Sequence, residues 1–367
     1  MGQQKEVVGY FPSWKWEYKN CLMTYDKIPF TKLTIIDYAF WRPLPDGDIT
    51  GINPIGDSLI LYGKPGKLPL VALAHSNKVK VMLSIGGWED SNNFPAVAST
   101  NSLRTTFAHA CVEAIRKFDF DGIDIDWEYP GYVEHNGTPA DMANSTSLFE
   151  ILHDSLDAYG KQTRKKILLS AALPATADHL SGFEVEKLAN ILDMLNVMTY
   201  DYNGSWSPRS GHNAPLYAST PEDSLNIEAT FRLYTETLQA PVSKINLGIP
   251  FYGHSFAQCT SLNGEYHGSD TTLFPDGDVN YYSIVQYLDT YRHWDEKAGV
   301  PYLIFPEAKT LVSFDDEESI KLKAEYVVDH KARGVIIWEI TGDYLEDGRT
   351  PLMDALNAVF SSHPGSK

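Results

Sequence analysis

The chain of 367 residues contains eight short apolar runs of strand-like composition that alternate with helix-like stretches. The runs occupy residues 6–11, 33–40, 79–87, 120–128, 167–174, 192–200, 244–253 and 334–340. Strands that alternate with helices pair in parallel within one sheet. Because no low-complexity linker divides the series, eight such units favour a closed (β/α)8 barrel over an open doubly wound sheet. The sequence therefore predicts a single barrel domain over residues 1–367.

The stretches between the runs show helical periodicity. In residues 101–118, Leu103, Phe107, Cys111 and Phe118 follow a 3.6-residue period, which predicts an amphipathic helix. Further helices are predicted at residues 144–160, 219–239, 317–331 and 351–360.

The interval after the seventh run interrupts this rhythm. It mixes strand and helix signals and is rich in aromatic residues. A structureless loop of this length is uncommon inside a compact domain. We therefore predict a small inserted α+β subdomain at approximately 254–312, at the upper rim of the barrel.

Charge and cysteine content exclude several classes of protein. The formal net charge of −18 repels the phosphates of nucleic acids. No apolar run is long enough to span a membrane. Cys21, Cys111 and Cys259 are too scattered for a disulfide framework or a zinc site, and we expect all three to be structural thiols.

Four acidic residues lie among Phe, Ile and Trp in the run "FDGIDIDWEYP" (120–130). Side chains alternate faces along a strand, so the apolar residues share one face and the acids share the other, in the order Asp124, Asp126 and Glu128. In a barrel, Glu128 would lie at the C-terminal mouth, where barrel enzymes have their active sites, and Asp124 would lie deepest. Burial and mutual repulsion raise the pKa of at least one member of such a row. A carboxylic acid that stays protonated near neutral pH can protonate a glycosidic oxygen.

Two other interpretations of the acidic run remain open on these residues. The run could be a surface strand with solvated acids, although its apolar alternation argues against this. It could also bind Mg²⁺ or Ca²⁺ through carboxylates on one face, although no complementary motif stands out at the other strand ends. The eleven histidines form no HExxH or paired pattern, so we predict no catalytic metal and no cofactor.

The stretch "DGIDIDWEYP" (121–130) resembles the DxxDxDxE signature of family 18 glycoside hydrolases, the chitinase-like enzymes, with Asp121, Asp124, Asp126 and Glu128 in its four acidic places. Other stretches resemble the motifs of this family in the same order: "SIGGW" (84–88), "MTYDYNGSW" (198–206), "GHNAPLY" (211–217), "GIPFYG" (248–253) and "GVIIWEI" (334–340). The resemblance covers nearly the whole chain.

The resemblance implies a retaining hydrolysis in which the 2-acetamido group of the substrate acts as nucleophile. Glu128 would protonate the leaving oxygen, and the acetamido carbonyl would attack the anomeric carbon to give an oxazolinium ion. Water activated by Glu128 would then open this ion. Asp126 would hydrogen-bond the acetamido N–H and Glu128, and Asp124 would share a proton with Asp126.

The other implied roles surround this centre. Tyr200 would hold the acetamido carbonyl, Asp201 would help to distort the sugar, and Asp121 would be structural. Aromatic rings stack on the flat C–H faces of sugars, and the motif matches place the substrate-binding residues at Tyr10, Trp14, Phe40, Trp88, Met198, Trp206, Tyr252 and Trp338. The remaining tryptophans are expected to pack in the core, namely Trp16, Trp41, Trp127 and Trp294.

Two stretches depart from the family pattern. Family members often read "PFYGR" at the seventh run, with the Arg reaching the substrate, whereas this chain has "PFYGH" and places His254 there. Likewise "SFDD" (313–316) stands where the family often has "YDD".

The leading functional hypothesis is a monomeric chitinase that acts on β-1,4-linked N-acetylglucosamine polymers, with chitin or chito-oligosaccharides as partners. The alternatives are an endo-β-N-acetylglucosaminidase that cuts the chitobiose core of N-glycans and a chitin-binding lectin without activity. The N-terminal "MGQQKEVVGYF" has no basic region followed by an apolar stretch, as a signal peptide would. For a chitinase we expect a secreted or periplasmic location, with a cytoplasmic one left open.

Overall fold

The architecture is that of a computed structural model, which describes residues 5–20, 22–275 and 279–363. The strands are β1 (Glu6–Pro12), β2 (Ile35–Pro43), β3 (Ile49–Gly51), β4 (Lys80–Gly86), β5 (Gly122–Asp126), β6 (Leu168–Pro174), β7 (Met194–Met198), β8 (Ile245–Pro250), β9 (His254–Ala257), β10 (Arg292–Asp295), β11 (Val300–Phe305), β12 (Thr310–Ser313) and β13 (Gly334–Trp338). Each of the eight predicted runs overlaps one of these strands.

The larger sheet forms a closed ring. Its strands are hydrogen-bonded in the order β1, β13, β8, β7, β6, β5, β4, β2 and β3, and β1 also pairs with β2. The pairs β1/β2, β2/β4, β4/β5 and β5/β6 are parallel, and β3 is a short antiparallel addition to β2. Because β1 pairs on both sides, the eight strands close, and the predicted (β/α)8 barrel is confirmed.

Along the chain, most of the helices come between successive strands of this ring. They are α1 (Pro54–Leu61), α2 (Leu70–Ser76), α3 (Phe94–Ala98), α4 (Asn101–Phe118), α5 (Asp141–Thr163), α6 (Ala177–Leu180), α7 (Val185–Ile191), α8 (Ile227–Arg232), α9 (Tyr281–Ile284), α10 (Leu288–Tyr291), α11 (Glu317–Asp329) and α12 (Pro351–Ser362). Helix α4 has the predicted limits, because the Thr100 side chain accepts a hydrogen bond from the Leu103 N–H and Asp119 ends the helix with a φ of 59°. Within the described ranges, no helix has the length and apolar character needed to cross a membrane.

The helix predicted at 219–239 is shorter in the structure. A turn closed by the Asp223 N–H and the Thr220 carbonyl, 3.1 Å apart, occupies its first residues. The Asn226 side chain then accepts the Ala229 N–H at 2.9 Å, so α8 begins only at Ile227. After α8 the chain continues as a π-helical turn over Leu233–Thr237.

The chain divides into two compact units. The first comprises Glu6–Val197 and Leu238–Asn246. In its core, the Trp127 and Phe94 rings stack with centroids 5.2 Å apart, and Phe107 contacts Phe94 edge-on at 6.1 Å. Cys111 on α4 is fully buried, and burial raises the pKa of its thiol, as expected of a structural cysteine. Cys21 lies outside the described residues.

The second unit comprises Lys5, Met198–Thr237 and the described residues from Leu247 onward. It contains an antiparallel sheet in the order β10, β11, β12 and β9. Phe256, Cys259 and Leu311 form the hydrophobic cluster of this sheet, so Cys259 is also a buried structural thiol. The sheet and the short helices α9 and α10 follow β8 and form the α+β insertion of the fold. The limits 254–312 and the single catalytic domain remain predictions.

Candidate active site

The acidic run forms β5 and the turn that follows it. Strand β5 ends at Asp126, two residues before the end of the predicted run. The Gly87 N–H donates to the Asp126 carbonyl at 2.8 Å, which is the last pairing at this edge. Beyond it, the Glu128 N–H donates to Ser91 Oγ at 2.9 Å. A buried serine side chain therefore replaces the sheet as the partner of the Glu128 backbone.

The apolar and acidic residues of β5 occupy opposite faces, as predicted. Ile123 and Ile125 are buried. Trp127, which follows β5, stacks on the Phe94 ring of α3. Asp124 is 0% exposed and Asp126 is 5% exposed. This burial excludes a surface strand with solvated acids.

Asp121 lies just before β5 and has a structural set of contacts. Its Oδ2 accepts the Val81 N–H at 2.8 Å and lies 2.8 Å from His75 Nε2. These bonds tie the start of β5 to β4 and α2, which agrees with the structural role expected for this residue.

Asp124 is the best-satisfied acid of the row. Its Oδ2 accepts hydrogen bonds from Tyr10 Oη and Ser84 Oγ, both at 2.8 Å. Its Oδ1 accepts from Ser170 Oγ at 2.6 Å and from Asn196 Nδ2 at 3.3 Å. Burial raises the pKa of Asp124, and these four donors act in the opposite direction. Four donors match the acceptor capacity of an ionised carboxylate. The proton sharing between Asp124 and Asp126 remains a prediction.

Asp126 has the opposite environment. Within the part of the chain that the structure describes, its buried Oδ1 has no hydrogen-bond partner. Burial raises the pKa of Asp126 well above its usual value, and the charges of Glu128, Asp124 and Asp37 raise it further. These influences favour the protonated form of Asp126 beside the half-buried Glu128. The expectation that at least one acid of the row has a raised pKa is confirmed.

A fourth acid, Asp37 on β2, belongs to the same interior and was missed by the sequence analysis. It is 0% exposed, and both of its carboxyl oxygens are buried without a hydrogen-bond partner among the described residues. Burial, and after it the charge of Asp124, raises the pKa of Asp37 well above its usual value. The available signal was a lone acid within the apolar run "LTIIDYAF" (33–40).

The predicted aromatic residues of β1 and β2 form a continuous row. The Tyr10 and Phe40 ring centroids are 6.4 Å apart, and those of Trp14 and Phe40 are 6.1 Å apart. Tyr10 is buried with its hydroxyl on Asp124, whereas Trp14 is half-buried. Tyr10 is thus a hydrogen-bond donor to the acids as well as a wall of the interior.

The exposed Trp88 belongs to a second aromatic group, which the sequence analysis found only in part. Its ring lies 4.6 Å from the His135 ring and 5.5 Å from the Tyr132 ring. His135 Nδ1 donates to the Glu128 carbonyl at 2.5 Å, so this group is connected to the backbone of the proposed acid. The order of residues in the loop after β5 carries no periodic signal from which these contacts could be predicted.

In the second unit, Met198 ends β7 and Tyr200 follows it. Both side chains are 9% exposed. The Tyr200 and Tyr252 rings meet edge-to-face with centroids 6.1 Å apart. The Tyr200 ring lies where a side chain at Gly248 would stand, since a Cβ there would come within 2.7 Å of it.

Asp201 is fixed by backbone and side-chain contacts. It adopts a left-handed conformation with a φ of 58°, and its N–H donates to Asn213 Oδ1 at 2.9 Å. Its Oδ1 accepts from Tyr252 Oη and lies at the same distance of 2.7 Å from His254 Nε2. His254 therefore contacts Asp201 from the position where the family often has Arg. The exposed Trp206 packs edge-on against the His254 ring at 5.1 Å.

Trp338, the last predicted wall residue, ends β13 and is half-buried. Its carbonyl accepts the Phe251 N–H at 2.8 Å. Non-proline cis peptide bonds link Ala39 to Phe40, Glu128 to Tyr129 and Trp338 to Glu339. Of the tryptophans expected in the core, Trp127 is fully buried, whereas the half-buried ones are Trp16, Trp41 and Trp294.

The departure "SFDD" has a structural role in this chain. Asp315 and Lys323 form a buried ion pair with Oδ1 and Nζ 2.5 Å apart. Asp316 caps α11 through its side chain and accepts Arg292 Nε at 2.6 Å. Burial raises the pKa of Asp315 and lowers that of Lys323, and their pairing opposes both shifts.

Asp315→Ala is expected to lower the free energy of unfolding by about 3–5 kcal/mol, because it leaves the Lys323 charge buried and unpaired. Denaturant unfolding followed by circular dichroism measures this loss. The matched control is Asp347→Ala, which removes an exposed pair with Arg349 and should leave the unfolding curve almost unchanged. Equal effects of the two variants would contradict the role given to the buried pair.

No cluster of three or more His, Cys, Asp or Glu side chains in residues 5–20, 22–275 and 279–363 is arranged to hold a metal ion.

The chain resembles curated and solved proteins over most of its length. It is 33% identical over 397 residues to Chitinase A1 of Niallia circulans, a match that covers 92% of this chain and 56% of that protein. It therefore spans little more than half of that relative's length.

Two solved structures share the fold. One is the group II chitinase catalytic domain 2 of Ostrinia furnacalis in complex with penta-N-acetylchitooctaose, with a TM-score of 0.85, 28% identity, and coverage of 99% of this chain and 98% of that chain. The other is a family 18 N-acetylglucosaminidase from Paenibacillus barengoltzii, with a TM-score of 0.80, 29% identity, and coverage of 97% and 99%.

A family model described as Glycosyl hydrolases family 18 matches residues 6–343, which include the acidic strand, the Tyr200 segment and β13. On this match, the chain belongs to glycosyl hydrolase family 18.

Proposed function

We propose that this chain is a chitinase that hydrolyses β-1,4 linkages between N-acetylglucosamine residues with retention of anomeric configuration. The observation that carries the proposal is Asp126, a buried acid two residues before Glu128, whose pKa is raised well above its usual value by burial and by the charges of Glu128 and Asp124. Family membership and the names of the relatives support the same substrate class.

In the first step, the carboxyl proton of Glu128 passes to the glycosidic oxygen while the bond between that oxygen and the anomeric carbon breaks. The carbonyl oxygen of the 2-acetamido group forms the new bond to the anomeric carbon, which gives an oxazolinium ion. We assign Asp126 to accept the acetamido N–H, and this hydrogen bond would favour the orientation needed for attack.

In the second step, the Glu128 carboxylate takes a proton from water, and the resulting hydroxide equivalent opens the oxazolinium ion. Two inversions at the anomeric carbon give net retention. Throughout both steps, Asp124 keeps its charge because four donors hold it, and this charge favours the protonated form of Asp126.

We assign two residues that follow β7 to orienting the substrate. We assign Tyr200 to donate a hydrogen bond to the acetamido carbonyl, whose oxygen becomes more negative as it attacks. We assign Asp201, which Tyr252 and His254 hold in place, to bind a hydroxyl group of the sugar. This contact would favour a distorted sugar ring. The left-handed backbone at Asp201 fits this role, because such conformations concentrate at functional sites.

The aromatic residues would form subsites for successive sugars. We assign four side chains to contact the sugar whose glycosidic bond is cleaved and the sugars next to it, namely Trp14, Phe40, Met198 and Trp338. Trp88 and Trp206 are large exposed hydrophobic side chains, which sugar faces cover well. Because chitin is too large a polymer to enter cells, the proposed activity supports a secreted or periplasmic location.

Product analysis on two substrates tests this function. The purified chain is incubated with chitohexaose and, separately, with a high-mannose glycopeptide, and the products are identified by mass spectrometry. We expect shorter chito-oligosaccharides from the hexamer and an intact glycopeptide. Cleavage of the glycopeptide alone would establish an endo-β-N-acetylglucosaminidase instead. Binding of chitohexaose without any cleavage would establish a lectin.

A further inference from the structure

Asp37 is a buried acid that the proposed reaction does not use. It lies on β2, where its register partners are Tyr10 on β1 and Met82 on β4. Residues that are paired in register point to the same face of a sheet. Asp37 therefore faces the interior into which Tyr10 directs its hydroxyl.

The lack of hydrogen bonds at Asp37 follows from the arrangement of its neighbours. Strands β1 and β4 flank β2. Tyr10 on β1 is in register with Asp37. Ser84 on β4 lies two residues beyond Met82, the partner of Asp37. The hydroxyl groups of Tyr10 and Ser84 both donate to Asp124 Oδ2. Neither Asp37 oxygen has a partner within the described residues, although both are enclosed.

An ionised carboxylate in such a place is strongly unfavourable, so Asp37 is a neutral acid when Asp124 is charged. A neutral carboxyl group buried without a partner still reduces stability. Natural proteins have such costly residues mainly at functional sites. This points to a role for Asp37 in the chemistry of the neighbouring acids.

The titratable groups that face Asp37 come from two strands. Strand β1 contributes Tyr10, and β5 contributes Asp124 and Asp126, with Glu128 beyond them. The side chains that β4, β6 and β7 direct to Asp124 are neutral, namely Ser84, Ser170 and Asn196. On β2 itself, Tyr38 points to the opposite face and donates to Asp57 at 2.5 Å.

We propose that Asp37 is a positioning residue that takes up part of the negative charge otherwise carried by Asp126 as the pH rises, so that Asp126, and through it Glu128, stays protonated in more alkaline solution. The inference rests on the proposed function, because it concerns the protonation of the catalytic acids of that reaction.

The direction of the effect follows from the coupling of the acids. Asp37 and Asp126 repel each other when both are charged, so loss of a proton from one makes the other retain its proton. In the wild type, part of the population at alkaline pH has lost the proton of Asp37 and kept that of Asp126. The Asp37→Asn variant would have no proton to lose at this position, and Asp126 would then ionise at lower pH.

The first test is the pH dependence of kcat/KM on chitohexaose for the wild type and Asp37→Asn. We expect the alkaline limb of the Asp37→Asn profile to shift to lower pH by about half a unit or more. Asp57→Asn is the matched control, because Asp57 is a buried acid bonded to Tyr38 on the other face of β2. Its alkaline limb should superimpose on that of the wild type. A superimposable limb for Asp37→Asn would overturn the proposal.

The second test reads the protonation of Asp37 without any substrate. Because the pKa of Asp37 is raised in the folded chain, the folded state keeps its proton while the unfolded state loses it above about pH 4, so wild-type stability falls as the pH rises. Asp37→Asn removes this penalty. The Tm of Asp37→Asn minus that of the wild type should therefore be larger at pH 8 than at pH 4 by about 2 °C or more.

A Tm difference that is constant between pH 4 and pH 8 would contradict a protonated Asp37. This test also separates the two proposals. A wild-type chain that cleaves no chito-oligosaccharide would refute the proposed function, whereas the titration of Asp37 would still be read from the melting curves.

Discussion

Glu128→Gln is expected to lower kcat on chitohexaose by about 10³-fold or more while KM changes little. Glutamine keeps the shape of the side chain, and the backbone contacts to Ser91 and His135 do not involve the carboxyl group. It cannot give a proton to the glycosidic oxygen or take one from water, so both steps lose their acid or base. Steady-state kinetics with reducing-end detection, together with calorimetric binding of the hexamer, measure the two effects separately.

Glu134→Gln is the matched control for this prediction. Glu134 is an exposed glutamate in the loop that follows the acid, and the reaction assigns it no proton transfer. Its kcat should equal that of the wild type. If Glu128→Gln kept a tenth or more of wild-type activity, Glu128 would not be the general acid.

Removal of the N-acetyl groups from the substrate is expected to abolish turnover. A fully deacetylated hexamer has free amines in place of the acetamido groups, and the proposed reaction assigns no carboxylate to replace the acetamido carbonyl as nucleophile. Intramolecular nucleophiles reach effective molarities of about 10⁵–10⁸ M, so their loss removes a large part of the rate enhancement. We expect kcat/KM for the deacetylated hexamer to be lower by about 10³-fold or more, as measured by chromatographic product analysis.

Competition distinguishes this loss of chemistry from a loss of binding. The acidic chain, with a net charge of −18, attracts the cationic deacetylated hexamer, which should therefore inhibit cleavage of chitohexaose. Turnover of the deacetylated hexamer within tenfold of the acetylated one would show that the nucleophile belongs to the protein.

The barrel was predictable because it depends on patterns that repeat along the chain. Eight apolar runs and their helices follow simple periodicities, and α4 was predicted to the residue. Helix α8 was predicted too long, because the side chain of Asn226 delays its start, and a cap of this kind competes with periodicity over only a few residues.

The acidic row was predictable for the same reason, since alternation in β5 places Asp124 and Asp126 on one face. The end of this strand was not predictable, because it depends on Ser91, which is distant in sequence and accepts the Glu128 N–H. The hydrogen bonds of Asp124 likewise depend on donors from four other strands. Sequence spacing within β5 contains no information about them.

Asp37 and His135 show the limit of reasoning from motifs. Asp37 matches no motif, and its importance comes from what its neighbours on β1 and β4 do with their hydroxyl groups. His135 is a loop residue whose ring nitrogen happens to meet the Glu128 carbonyl. Both environments depend on the tertiary structure and could not be predicted from the sequence.

The central claim is that the acetamido group of the substrate is the nucleophile and that the reaction therefore retains anomeric configuration. The most direct test is ¹H NMR of the reducing ends formed from chitohexaose in the first minutes of cleavage, before mutarotation equilibrates them. The account predicts that the new reducing ends appear first as the β-anomer. Initial formation of the α-anomer would mean direct attack by water and would contradict the mechanism.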